Sequence, residues 1–213
     1  MSHDHDHDDD PHDDDPMERR HALRAEALEE ILTEKGLVQP ALIDAIVQRY
    51  EQDIGPMNGA RAVARAWLDP AYKQRLLTDA WNAINELGVA TGPERTPIVV
   101  LEDTPARHHV VVCTLCSCSP SSVLGLPPSW YKSPPYRARV VREPRAVLRE
   151  MGLALPPAVE VSVWDSSAEV RYMVLPERPT GTEGWTEEQL ASLVTRDAMI
   201  GVAKPTPPGP ISG

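Results

Sequence analysis

Phenylalanine is absent from this 213-residue chain, and aromatic residues of every kind make up only 5%. The apolar fraction, 41%, is still enough for a core. Cysteine is nearly as scarce. There are three, all between Cys113 and Cys118, so they cannot staple distant parts of a fold. That excludes a secreted disulfide scaffold. Long apolar runs are missing too: none approaches the ~20 residues that span a bilayer. No charged–apolar–small signal peptide opens the chain, and a cytoplasmic protein is expected. Finally, basic charge is in short supply. The net charge is −11, but residues 1–15 hold eight aspartates and no lysine or arginine. Without that tail, 24 acids stand against 21 bases. This mildly acidic remainder lacks the basic excess that nucleic-acid binding needs.

What is plentiful is proline, with 22 residues, which implies turns and extended stretches and not a plain helical bundle. Residues 1–16 carry no periodicity and read as a disordered His/Asp-rich tail. Within it, His3, His5, His7 and His12 among carboxylates form at most a loose divalent-metal buffer. Helical periodicity follows over 17–35 and 40–52. Asn58 is expected to cap a third helix, and Asp69-Pro70 to open a fourth that runs to Gly88. Residues 17–90 thus read as a helical arm that packs on a partner subunit. Beyond a break at Gly92-Pro93, strands are expected at 98–101 and 108–112. A period-two pair follows at 159–164 and 170–175, read as a hairpin turning at Asp165-Ser-Ser-Ala168. A short helix is expected at 143–151, and Thr186-Glu-Glu-Gln189 is a capping box. The fold class is therefore α+β: an extended helical arm, then a layered α-β-β-α domain over 91–203, and a proline-rich tail over 204–213.

The thiols sit in Cys113-Thr-Leu-Cys-Ser-Cys118. One reading is a redox disulfide between Cys113 and Cys116, but the thioredoxin-like context is missing. A second is a zinc site completed by His108 or His109. Those histidines lie on a predicted strand that carries them away from the loop, one facing inward and one outward. The third is a claw for one metal ion. Two thiolates at Cys116 and Cys118 and the peptide nitrogens of Ser117 and Cys118 form a near-planar set, with Cys113 as axial thiolate beneath. Amide nitrogen ligation requires a strongly polarising trivalent ion, Co(III) or Fe(III), which leaves one open Lewis-acid position.

This motif resembles the metal-binding segment of the nitrile hydratase α subunit. The resemblance extends to Val123-Leu-Gly-Leu-Pro-Pro-Ser-Trp-Tyr-Lys132, Tyr136-Arg-Ala-Arg139, Arg142-Glu-Pro-Arg145, Trp164-Asp165, Arg171-Tyr-Met-Val-Leu-Pro176 and Gly181-Thr-Glu-Gly-Trp185. In the arm it includes Gly55-Pro56, Asn58-Gly-Ala60 and Ala66-Trp-Leu-Asp-Pro70. The resemblance implies hydration of nitriles to amides. It also implies that Thr114 accompanies Co(III) more than Fe(III), with Cys116 oxidised to sulfinate, Cys118 to sulfenate and Cys113 left as thiolate. Cys116, Ser117 and Cys118 are then the catalytic groups and, with Cys113, the metal site. A β subunit would supply arginines to the oxidised sulfurs, in an αβ or α2β2 assembly, and a metal-insertion activator could load the ion. Asp165, Glu169 and Arg171, around the expected hairpin turn, are candidates for orienting the ligands or the partner.

The sequence departs from the family in three places. Ser119-Pro-Ser-Ser122 replaces an aromatic stretch, which suggests a larger or more polar pocket for bulky or heterocyclic nitriles. Asp79-Ala-Trp81 and Glu94-Arg-Thr-Pro97 differ as well. Two other functions are compatible with the claw: the metal-bearing subunit of thiocyanate hydrolase, and a non-catalytic metal-carrying interaction subunit.

Overall fold

The computed structural model describes residues 16–48, 56–88 and 96–207. The readings on the His/Asp tail, on the end of the helix expected over 40–52, on Gly55, on the break at Gly92-Pro93, on Glu94-Arg95 and on the chain end after residue 207 lie outside them. The chain divides into two compact units, residues 1–47 and 48–213.

The first unit holds helix α1 (Pro16–Glu34) and most of α2 (Pro40–Gln48). Helix α1 stops at Gly36, whose φ of 68° suits glycine. The N–H groups of Gly36 and Leu37 satisfy the carbonyls of Thr33 and Leu32. Leu23, Leu28 and Ile31 on α1, and Leu42 and Ile46 on α2, remain exposed.

The second unit begins with α3 (Pro56–Leu68). Its small residues Gly59, Ala60, Ala62, Ala64 and Ala66 are buried and let neighbours approach closely, and the alanines also favour the helix. Asn58 does not cap this helix. The helix starts earlier, at Pro56, so Asn58 is inside it and buried, donating Nδ2–H to the carbonyl of Ser122 at 3.1 Å. Asp69 caps α4 (Pro70–Thr78) as expected, its Oδ1 accepting from the N–H groups of Ala71 and Tyr72. The expected long helix breaks at Asp79, which leaves helical geometry and caps α5 (Ala80–Asn85) through Asn82 N–H. Its carboxylate offers the backbone an acceptor that restarts the helix in a new direction. These three helices are built into the second unit, and Leu76, Ala83 and Ile84 are completely buried there.

Four strands follow the expected positions: β1 (Ile98–Glu102), β2 (Arg107–Val112), β3 (Glu160–Asp165) and β4 (Arg171–Leu175). Their pairing differs. β3 and β4 are not a hairpin. β2 pairs with β3 in parallel, and β1 with β4 in parallel, as two separate two-stranded sheets. The Asp165–Val170 segment therefore crosses from one sheet to the other, tightened by Ser167 N–H on Val170 O. A parallel pair needs a long crossover. Between β2 and β3 it is supplied by α6 (Ser121–Leu124), α7 (Ser129–Lys132), α8 (Pro134–Arg139) and α9 (Pro144–Glu150). Helices α10 (Glu187–Ala191), opened by the capping box at Thr186, and α11 (Arg196–Ile200) complete a mixed α and β fold.

With no phenylalanine, Tyr72 and Tyr131 are the largest completely buried side chains. Each hydroxyl needs a partner in the interior. Tyr72 Oη donates to Ala83 O, and the likewise buried Tyr136 donates to Val111 O at 2.8 Å.

Candidate metal centre

Strand β2 delivers the site. Val110, Val111 and Val112 are buried and lead into Cys113, which has no exposed surface. The parallel register sets Val112 opposite Asp165, at the carboxyl ends of both strands. Asp165 thereby reaches the loop that follows Cys113. Its carboxylate accepts from Thr114 N–H at 2.9 Å and from Thr114 Oγ1–H at 2.6 Å. The next residue, Ser166, donates its N–H to Val112 O at 2.7 Å, so the loop leaves the sheet from a fixed point.

The opposite side of the loop is gripped by α7 and α8. Tyr131 Oη donates to Cys118 O at 3.1 Å, and Arg137 Nη1 to Cys116 O at 3.2 Å. Burial pushes the Tyr131 hydroxyl above its ordinary pKa, and the charge of Cys113 adds to this, so it stays a proton donor.

Held this way, the three sulfurs converge. Cys113 and Cys116 Sγ are 3.5 Å apart, Cys116 and Cys118 Sγ 3.2 Å, and all three lie within 4.8 Å of one another. No disulfide joins them, because a bonded pair would be at about 2.05 Å. Cys116 is exposed, Cys118 half-buried and Cys113 buried. Cys116 N–H points at Cys113 Sγ, at 3.3 Å. Hydrogen bonds from Cys118 and Cys113, then from the backbone N–H of Ser117 and to a lesser degree Cys118, bring the Cys116 thiol down to about 7. Burial, followed by the Cys116 contact and the charge of Cys113, pushes Cys118 up to about 12, while Arg171 acts in the opposite sense. Three thiolates this close repel one another, so full ionisation needs a cation among them. The three convergent sulfurs fit a thiophilic metal ion.

The two histidines are not part of this set, and neither faces outward; both are buried. His108 Nδ1 is 2.8 Å from Asp103 Oδ2 and its Nε2 is 2.8 Å from Gly201 O. His109 Nδ1 accepts from Trp164 Nε1–H at 2.9 Å. Strict alternation fails because β2 is covered on both faces, as parallel strands commonly are. Among the described residues, no imidazole or carboxylate joins the three sulfurs to complete a zinc site.

Of the other candidates from the sequence, Asp165 contacts the loop directly. Arg171, at the start of β4, donates its N–H to Pro97 O and acts on Cys118 through its charge. Glu169 is exposed, with its N–H on Ser167 Oγ. Sequence reasoning missed Tyr131, Tyr136, Arg137 and Ser166. The available signal was two of the chain's five tyrosines within six residues, followed at once by an arginine. Ser122, one of the serines in place of the aromatic stretch, packs into the core at 2% exposure. Only Ser119 and Ser121 remain half-exposed near the loop.

Comparison with known proteins agrees with this geometry. The family model described as nitrile hydratase, alpha chain, matches residues 19–203. The low-molecular-weight cobalt-containing nitrile hydratase subunit alpha of Rhodococcus rhodochrous is 59% identical over 187 residues, covering 88% of this chain and 90% of that one. The thiocyanate hydrolase subunit gamma of Thiobacillus thioparus is 49% identical over 191 residues, covering 85% and 78%. Among solved structures, a double mutant of the Fe-type nitrile hydratase from Comamonas testosteroni Ni1 superposes with a TM-score of 0.81 at 42% identity, covering 92% of this chain and 97% of that one. The chain belongs to the nitrile hydratase α-chain family.

Proposed function

We propose that this protein is the α subunit of a cobalt nitrile hydratase, which adds water across a nitrile to give the amide. The observation that carries this reading is the convergence of three thiol sulfurs within 4.8 Å on one six-residue loop. Cys113, Cys116 and Cys118 would hold the ion through sulfur, and Ser117 and Cys118 through their peptide nitrogens. When bound, Co(III) supplies Lewis acidity toward the nitrile. Thr114, together with the cobalt-containing relative, supports cobalt over iron.

The remaining chemistry belongs to the chain. Cys116 is assigned as sulfinate and Cys118 as sulfenate, whose oxygens are acceptors at the exposed edge of the loop. The Cys118 sulfenate oxygen is assigned the role of taking a proton from water or attacking the nitrile carbon. Ser117 contributes its backbone and a hydroxyl beside the reacting groups. Asp165 holds the loop through Thr114, and Arg171 steadies charge at Cys118. Glu169, which is exposed, is assigned to orienting the partner.

A β subunit, with arginines for the oxidised sulfurs, completes the site in an αβ or α2β2 assembly in the cytoplasm. A metal-insertion activator loads the ion. Of the helical segment expected over 17–90, α1 and α2, with their exposed leucines and isoleucines, are the part assigned to the partner surface. Residues 91–203 are assigned to the layered metal-binding domain, into whose compact unit α3, α4 and α5 are also built.

The test is elemental analysis of the co-expressed complex, with turnover of acetonitrile and an aromatic heterocyclic nitrile measured on the same sample. Cobalt, amide formation and three added oxygens on the peptide holding Cys113–Cys118 are expected. Zinc at full occupancy in active protein would overturn the reading. Metal without turnover or oxidation would instead identify a metal-carrying interaction subunit. Thiocyanate is the second substrate to assay, because of the 49% identity to a thiocyanate hydrolase subunit.

Asp165→Ala removes both acceptors of Thr114. Charged hydrogen bonds contribute about 1.5–3 kcal/mol, less at this exposed carboxylate. Cobalt is therefore expected to leave to a chelator about tenfold faster. Unchanged retention would show that the loop holds without this contact.

A further inference from the structure

Three backbone carbonyls, one near the end of β2 and two on the cysteine loop, are gripped by side chains of α7 and α8: Val111 by Tyr136, Cys118 by Tyr131, and Cys116 by Arg137. Only one of these donors is charged. Arg137 Nη1 lies 3.2 Å from Cys116 O, and Tyr136, the preceding residue of α8, is buried, which fixes the helix that carries the guanidinium.

The three carbonyls are not equivalent. Cys116 O belongs to the peptide group whose nitrogen is that of Ser117. Nitrogen and oxygen of a peptide are conjugated, so negative charge gained at the nitrogen on metal ligation spreads onto the oxygen. Cys118 O belongs to the Cys118–Ser119 peptide, whose nitrogen is outside the ligand set. The neutral tyrosine therefore sits on the peptide that does not ligate, and the cation on one that does.

We infer that Arg137 is a positioning residue of the metal centre: it anchors the Cys116–Ser117 peptide, aims its nitrogen at the ion and offsets the charge that ligation places on its oxygen. A charge-assisted hydrogen bond suits this role better than a neutral one because it strengthens as the oxygen becomes more negative. This inference rests on the proposed cobalt reading.

The test compares wild type, R137K and R137Q as co-expressed complexes with the β subunit. Cobalt per complex, the visible sulfur-to-cobalt absorption and the rate of cobalt loss to a chelator are measured. R137K, which keeps a cation, should load within about twofold of wild type. R137Q should lose cobalt at least about tenfold faster, the effect of one charged hydrogen bond. Its absorption band should also shift. A cobalt-loaded wild type with an R137Q complex of equal retention and unchanged absorption overturns the inference alone, as does equal loss from both variants. A wild-type complex without cobalt overturns the functional reading and this inference with it. If R137Q gives no soluble complex, R137K decides: loading near wild type supports the role of charge, and loss of cobalt refutes it.

Discussion

Cys113→Ser is expected to reduce the cobalt content of the complex to below about a tenth of wild type, and to leave hydration at background. Of the three thiols, Cys113 alone has no exposure to solvent, and it is set at the end of a strand whose last three residues are buried. Cys116 N–H points at it, so the loop wraps around this atom. Serine is nearly isosteric but replaces a soft thiolate with a hard, weakly acidic hydroxyl that does not hold a thiophilic ion. Metal content and melting temperature measured together make the result decisive. Loss of cobalt with little change in the fold is expected, and full cobalt in the serine variant would remove Cys113 from the ligand set.

The second large effect lies away from the sulfurs. Gly201→Ala is expected to destabilise the protein by at least about 3 kcal/mol. Gly201 ends α11 with φ of 89°, a left-handed conformation that side chains rarely adopt. An added methyl would also run into the carbonyl of His109 on β2, which is backbone and cannot swing aside. The same residue's carbonyl accepts from His108, so a shift here also breaks a buried contact. In a protein of this size the melting temperature should drop by roughly 6–12 °C. Gly59→Ala is the contrast. There the methyl would meet Met199 Sδ at 2.5 Å, but that atom belongs to a flexible side chain, and about 1 kcal/mol is expected. Equal melting of the two variants would show that α11 is not fixed against β2 in this way.

The element positions were largely legible along the chain, because caps and turn residues act locally. Asp69-Pro70 opened a helix, and Thr186 and Gln189 made their box, where the residue types required. Pairing was not legible. The runs at 159–164 and 170–175, joined by a short polar turn, have every local mark of a hairpin. Their partners are strands some fifty or more residues earlier, and those edges come within reach only in the assembled unit. The same cause explains His108 and His109, where alternation predicts one outward position and the covered sheet leaves none.

The metal centre divides along the same line. By itself the sequence determined the donor set, because all the thiols and both candidate peptide nitrogens lie within six consecutive residues, where chain geometry alone makes them neighbours. Tertiary structure alone decided what holds that set in shape. Asp165 reaches Thr114 across 51 residues through the β2–β3 register, Arg137 reaches Cys116 across 21, and Tyr131 reaches Cys118 across 13. No periodicity or spacing encodes such contacts. They exist because a parallel strand pair and two short helices converge on one loop and close its hydrogen bonds.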